Sequence, residues 1–304
     1  MKRNSLLFEP KTVENIITIT GHAGAIYDVL YFNPSIFTSS ADKYVAQWNM
    51  ETGEQTNFAV KLEYSAYGIA HNPENNLLAI ANNRGQIHVI DLKQKKEVRL
   101  LEQHKSSIFS LTFNPYKKQF YSGDKEGYFC AWDENFELLI TLPFDCGKIR
   151  EIALSEDGSH IAICGQEEKV YILETEFFNT VNEFKAHKEG VNCALFDKEE
   201  LYTGGKDAYI RKWNWKTGEK IAAIPAHNFA VYDLEFIDNK KKIVSVSFDK
   251  SIKIWNSKDL SIIERIEYRN KGHRHCVNRI AKINEEKFAT VSDDRKIKIW
   301  KLKE

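Results

Sequence analysis

GGKDAYIRKW (Gly204–Trp213), VSFDKSIKIW (Val246–Trp255) and VSDDRKIKIW (Val291–Trp300) are three readings of one sentence. Each sets a turn-forming acid six residues before a tryptophan, with alternating apolar and polar residues between. SSADKYVAQW, ending at Trp48, and GDKEGYFCAW, ending at Trp132, repeat the pattern. ANNRGQIHVI and CGQEEKVYIL are weaker copies, with Ile90 and Leu173 in the tryptophan slot. The slots fall at 48, 90, 132, 173, 213, 255 and 300, giving steps of 42, 42, 41, 40, 42 and 45. Seven units of forty-odd residues therefore run through the chain, and such a period marks a repeat architecture.

The pattern within a unit is β. YIRKW and SIKIW alternate with the period of half-buried strands. Upstream runs such as IFSLTF and AVYDLEF are apolar, β-branched or aromatic, and end in turn material such as NPYKK, NPEN or SEDG. About four short strands per unit are too few to bury both faces alone, and stacking the units supplies the missing cover.

On these residues the chain resembles the WD40-repeat family, whose repeats of about 40–45 residues each form a four-stranded propeller blade. The family's histidine dipeptide stands as GH at Gly21–His22 and Gly272–His273, and varies to QH at His104 and AH at His187 and His227. Its terminal WD stands as WD at Trp132, WN at Trp48, Trp213 and Trp255, and WK at Trp300. The resemblance implies an all-β, seven-bladed propeller over residues 14–304, with residues 1–13 as an N-terminal extension. The last unit ends just after its third strand, and NIITIT (Asn15–Thr20) is a spare strand at the other end. The expectation is that this strand completes the seventh blade, leaving no unsatisfied edge there.

Ser245, His227 and Asp249 have the composition of a hydrolase triad, but the set recurs. The copies are His22/Thr38/Asp42/Trp48, His104/Ser122/Glu126/Trp132, His187/Thr203/Asp207/Trp213, His227/Ser245/Asp249/Trp255 and His273/Thr290/Asp294/Trp300. In the resembling proteins these four side chains bond in series within a blade. Indole N–H only donates, a hydroxyl donates and accepts, neutral imidazole does one at each nitrogen, and the carboxylate ends the series. The second unit has Leu62, Ile80, Arg84 and Ile90 in these slots, and the fourth has Asp145, Ile163, Glu167 and Leu173. Hydroxyl and indole are thus lost together, the inexpensive way to abandon a buried network. Five copies of one triad serve architecture, not catalysis.

Bulk composition agrees. The chain has 304 residues, and 43 basic residues balance 43 acidic ones. Zero net charge removes the global pull expected of a nucleic-acid or anionic-membrane binder. Cys130, Cys146, Cys164, Cys193 and Cys276 are scattered, with no CxxC, so neither zinc nor a redox pair is signalled. The simplest compartment is a reducing one, the cytoplasm, with the nucleus open in a eukaryote. MKRNSLLFEPKTVEN lacks the apolar run of a signal peptide, and no stretch is apolar enough to span a membrane. No phosphate-binding loop, GxSxG, HExxH or dinucleotide fingerprint occurs. His275 beside His273 reads as a surface histidine, and DKEE (Asp197–Glu200) as a solvated loop tip. No catalytic residue, metal or cofactor is expected.

Propellers of the resembling family commonly bind peptides or protein loops on the rim of the top face. Two residues flank the first apolar residue of each inner strand there, and a third precedes the turn acid. In blades one to seven the inner pairs are Ala25/Tyr27, Ser65/Tyr67, Ser107/Phe109, Lys148/Arg150, Gly190/Asn192, Ala230/Tyr232 and Cys276/Asn278. The pre-turn residues are Ala41, Asn83, Lys125, Gln166, Lys206, Phe248 and Asp293. Tyr27, Tyr67 and Phe109 fall on successive blades, Tyr232 and Phe248 share the sixth, and Lys125, Lys148, Arg150 and Lys206 form a basic arc. Aromatics and arginine are enriched at binding hot spots. The expected function is a non-enzymatic scaffold, monomeric as a propeller, that grips a protein or peptide by an apolar anchor with acids toward the arc. The alternatives are packing of the channel mouth by these aromatics, an RNA contact through the arc, and an enzyme with an unrecognised channel site.

Overall fold

The computed structural model describes residues 12–303, and it is a seven-bladed β-propeller of four-stranded antiparallel sheets. In the first blade the strands run Ile26–Phe32, Ser35–Ser40, Tyr44–Asn49 and Gln55–Lys61 from the channel outward. Position in the blade sets the burial pattern. Ser35–Ser40 is buried at every residue, whereas Gln55–Lys61 at the rim is exposed at alternate positions, because only one of its faces meets a neighbouring blade.

The first strand, Val13–Thr20, pairs antiparallel with the last, Lys296–Leu302. It forms the outermost strand of the seventh blade, as the spare-strand reading requires. Ile19 is 1% exposed there, and Asn15 Nδ2 donates to the Ile299 carbonyl at 3.0 Å.

The hydrophobic core is divided into seven clusters, each lying between two successive blades. Ile19, Ile26, Val29 and Trp48 pack with Val291, Ile297 and Ile299 across the first and seventh blades, and Phe37 and Val45 meet Ile69, Ile80 and Ile90 across the first and second. No blade buries its faces alone, which is the reason stacking is obligatory.

Blades two and four, which lack the relay histidine and the terminal tryptophan, are fully formed. In blade two Leu62, Ile80 and Ile90 join one apolar cluster. In blade four Ile163 and Leu173 do the same, but the residue beside them is buried Cys146, while Asp145, assigned that slot from spacing, is exposed. A free carboxylate in that apolar setting has no cation to meet, and the neighbouring thiol fills the space.

Candidate functional site on the top face

Four of the five repeated sets each form one directed relay with the expected members, and the fifth, in blade three, forms it with a different acid. In blade six Trp255 Nε1 donates to Ser245 Oγ at 2.7 Å, which lies 2.7 Å from His227 Nε2, and Nδ1 lies 3.0 Å from Asp249. Indole can only donate, so the hydroxyl spends its proton on Nε2 and the imidazole carries its own on Nδ1. His22, His187 and His273 make the same bonds to Thr38 and Asp42, Thr203 and Asp207, and Thr290 and Asp294. Trp48, Trp213 and Trp300 donate to those threonines. Arg211 adds a bond to Asp207 at 2.8 Å.

Blade three departs from the expected acid. His104 Nδ1 pairs with Asp124 at 2.9 Å, while Ser122 and Trp132 stand as expected. Glu126 instead lies 3.8 Å from Lys125 on the surface. Asp124 ends its strand two residues earlier, and its other oxygen accepts from the Glu126 and Tyr128 amides. Its carboxylate thereby fills the site that the later acid holds in other blades.

The relays hold the turns that build the top face. Every inner strand carries a bulge at the same position, where its pairing skips one residue: Tyr27, Tyr67, Phe109, Arg150, Asn192, Tyr232 and Asn278. A bulged residue is left out of the ladder and its side chain is re-aimed. One residue before each preceding apolar position, the carbonyl accepts from the pre-turn amide. Ala41 donates to Ala25, Asn83 to Ser65, Lys125 to Ser107, Gln166 to Lys148, Lys206 to Gly190, Phe248 to Ala230 and Asp293 to Cys276, all at 2.8–3.2 Å. The three positions taken from the sequence are therefore brought together in all seven blades, including the two without a relay histidine.

Tyr27 meets Tyr67 edge-on at 4.9 Å, and Tyr67 stacks on Phe109 at 5.0 Å. Lys148 Nζ lies 4.4 Å from the Phe109 ring centre and the Arg150 guanidinium 5.8 Å from it. Burial, then Arg150 and Lys125, push the Lys148 pKa down. Across the channel Phe248 meets Tyr232 at 6.1 Å and Phe229 at 5.8 Å. Phe229, 58% exposed, was absent from the rim positions. It sits one residue before them, in the loop HNFA, where an unexplained exposed aromatic was the available signal. Tyr27, Tyr67, Phe109, Arg150, Tyr232 and Phe248 line a cavity of about 310 Å³ at the channel mouth, and Phe229 joins Arg150, Tyr232 and Phe248 in an adjoining cleft of about 470 Å³ between blades five and six.

Deeper in the channel, Arg279 follows the seventh bulge, a position the sequence reading passed over. Its guanidinium bonds Glu151 of blade four and lies 3.8 Å from Asp233 and 4.0 Å from Asp28. Those carboxylates hold its pKa up against burial. Asp28 also accepts from the Ile69 amide of the next blade and Asp233 from that of Ile280, so the cluster laces blades together. Among the described residues no group of histidine, cysteine and acid side chains is placed to hold a metal. His275 is exposed, and the five cysteines are free and buried.

The model of the WD domain, G-beta repeat, matches residues 13–49, 95–133, 178–214, 218–256 and 265–301, more than half of the chain. The chain belongs to the WD40-repeat family. The stretches between the matches hold the two blades without relays, so those WD40 units are visible in the fold but not in the family signature. The chain is similar to pre-mRNA-processing factor 17 of Homo sapiens, 27% identical over 254 residues, covering 79% of this chain and 44% of that protein. It is also similar to the WD repeat domain-containing protein 83 homolog of Dictyostelium discoideum, 20% identical over 260 residues, 75% of this chain and 79% of that one. WD repeat-containing protein 55 of Homo sapiens is 22% identical over 240 residues, 77% of this chain and 62% of that one. This WD40 chain thus spans less than half the length of pre-mRNA-processing factor 17. No helix of the described residues is long and apolar enough to cross a membrane.

Proposed function

We propose that this WD40 propeller is a non-enzymatic scaffold that captures a protein partner by a peptide or loop laid across its top face. The observation that carries the reading is the convergence of seven bulged side chains on one aromatic and basic cavity. Tyr27, Tyr67, Phe109, Tyr232 and Phe248 supply apolar contact, and Lys125, Lys148, Arg150 and Lys206 supply positive charge for acidic residues of the partner. The triad-like histidines and acids of the five repeats are consumed in the relays, which supports a binding role. The buried, unpaired cysteines support a reducing compartment, cytoplasm or nucleus.

The test is affinity purification with quantitative mass spectrometry, comparing the wild-type chain with a Tyr67→Ala/Phe109→Ala variant of matched melting temperature. Partners recovered with the first and lost with the second are the expected result, and identical partner sets would refute the assignment.

An RNA contact through the basic arc is the second reading, favoured by Lys148 and Lys206, which have no ion-pair partner among the described residues. The stacked geometry weighs against it. Tyr67 lies against Phe109 and the Lys148 ammonium approaches the same ring, which leaves that ring poorly open to the base stacking on which sequence-tolerant single-strand binding relies. Strong, salt-dependent binding of an oligoribonucleotide would reverse this preference.

A further inference from the structure

Two arginines from opposite sides of the ring point into the channel, and they differ in one respect. Arg279 is surrounded by Glu151, Asp233 and Asp28. Arg150 has no carboxylate within ion-pair reach among the described residues. The acids nearest the top cavities are engaged elsewhere or too distant. Asp293 accepts from the Cys276 thiol at 2.7 Å and from Asn278 at 2.8 Å. Asp207 is held by His187 and Arg211, and Glu189, in the outer cleft, forms no ion pair with Arg150 or Lys206.

Arg150 is also the wall common to the two cavities. With Tyr232 and Phe248 it lines both the channel mouth and the cleft between blades five and six. Apolar surface lies on either side of it. Tyr67 and Phe109 face it from one side, and Phe229 and Phe248, 58% and 49% exposed, stand on the other. A partly buried guanidinium without a counter-charge costs solvation energy that the 5.8 Å approach to the Phe109 ring only partly offsets, whereas a carboxylate matches its planar fork with two parallel bonds.

We propose that Arg150 is the specificity-determining contact for an aspartate or glutamate side chain of an extended peptide, flanked by two bulky apolar side chains that enter the two cavities. The assignment rests on the top-face reading above and adds the order of the contacts: apolar, acidic, apolar. Lys148 and Lys206 add longer-range attraction at the rim but lack the fork, so Arg150 sets the requirement for the acid.

The immobilised full chain is panned with a phage-displayed random peptide library, and enriched peptides are resynthesised for fluorescence anisotropy. Enriched sequences are expected to carry an acid between bulky apolar residues. Replacing that acid by its amide, or Arg150→Gln in the protein, should weaken binding at least about tenfold. Arg150→Lys should recover only part of the affinity, and a fresh selection on Arg150→Glu should enrich lysine or arginine at the same place. Thermal melts identify any variant that fails to fold, and the amide peptide tests the contact on the wild-type chain regardless. Peptides that depend on Tyr67 and Phe109 but are indifferent to Arg150 overturn this inference and leave the top-face reading standing. Peptides indifferent to all three residues, or no enrichment at all, overturn both. Binding of fluorescein-labelled oligouridylate that is lost in Arg150→Gln overturns the peptide assignment in favour of nucleic acid.

Discussion

Asp124 lies 2.9 Å from Nδ1 of His104, while Glu126, two residues on, reaches only Lys125 at the surface. The relay of blade three thus ends on a carboxylate that is 2% exposed. Asp124→Ala leaves the imidazole N–H and two turn amides without their acceptor and should cost roughly 1–3 kcal/mol. Glu126→Ala should change stability by less than about 0.5 kcal/mol. Urea titrations of both variants check the pair, and equal losses would refute the assignment.

Acidification should unfold the ring through the relays. Burial works to raise the carboxyls of Asp42, Asp124, Asp207, Asp249 and Asp294, but their histidine and turn-amide bonds outweigh it and hold all five low, Asp294 at about 2. A carboxyl depressed in the fold contributes stability above its unfolded pKa and loses it as pH falls through the folded value. Asp294 alone should contribute roughly 2–3 kcal/mol at neutral pH. Burial lowers His187, His227 and His273, so their contribution too is present above the unfolded value, about 6.5, and declines below it. His104 is the exception: its bond to Asp124 outweighs burial and raises it to about 9, a contribution kept below about 6.5 and lost above about 9. Tryptophan fluorescence of urea unfolding should give falling midpoints from pH 6.5 to 3, and a flat profile would contradict the relay chemistry.

Arg279→Ala should produce the opposite slope. Burial raises the Asp28 carboxyl to about 6, and it raises Asp233 as well, while Arg279 works to lower both. Groups raised in the fold stabilise it at low pH, and that contribution is lost as pH rises through the folded values. Removing the only guanidinium that touches Asp28, Glu151 and Asp233 among the described residues should cost about 3–5 kcal/mol at pH 8, and the deficit relative to wild type should shrink by pH 5 as the carboxyls bind protons. Melting temperatures at the two pH values decide it, and a pH-independent deficit would refute it.

Deleting residues 1–20 should destabilise the whole ring. The seventh blade would lose its outer strand and the buried side chains of Val13 and Ile19, each worth about 1.5–3 kcal/mol. Calorimetry should show a single transition at lower temperature, and an unchanged transition would dismiss the role given to this strand.

The number of blades, the strand order and most relay members were legible because the tryptophan slot repeats with little drift. The side chains of blade three were harder to place because two acids share one turn, GDKEG. The distinguishing signal is the glycine: Asp124 and Gly127, like Asn82 and Gly85 in blade two, bracket a turn whose fourth residue has positive φ, 88° and 85°. There the first residue caps the turn amides, whereas in blades one, five, six and seven, which have no glycine there, the third does. Arg279 and Phe229 were missed for different reasons. Which side chains cross a channel depends on the distance between non-adjacent blades, and no local period records it. An exposed loop aromatic gains meaning only once Phe248 is seen beside it.

The pairing of Val13–Thr20 with Lys296–Leu302 joins the first and last strands of the ring; the Asn15–Ile299 bond alone spans 284 positions. During synthesis the opening strand therefore waits as an unpaired edge until its mate has been made, after the other six blades have had time to assemble. Throughout that wait the same edge on a second nascent molecule offers equivalent hydrogen bonds. The choice between them is set by effective concentration, high within one chain and low between chains. Crowded production on polysomes or at high expression shifts that balance toward strand-exchanged pairs, so the joint that seals the ring is also the place where its assembly is most exposed to error.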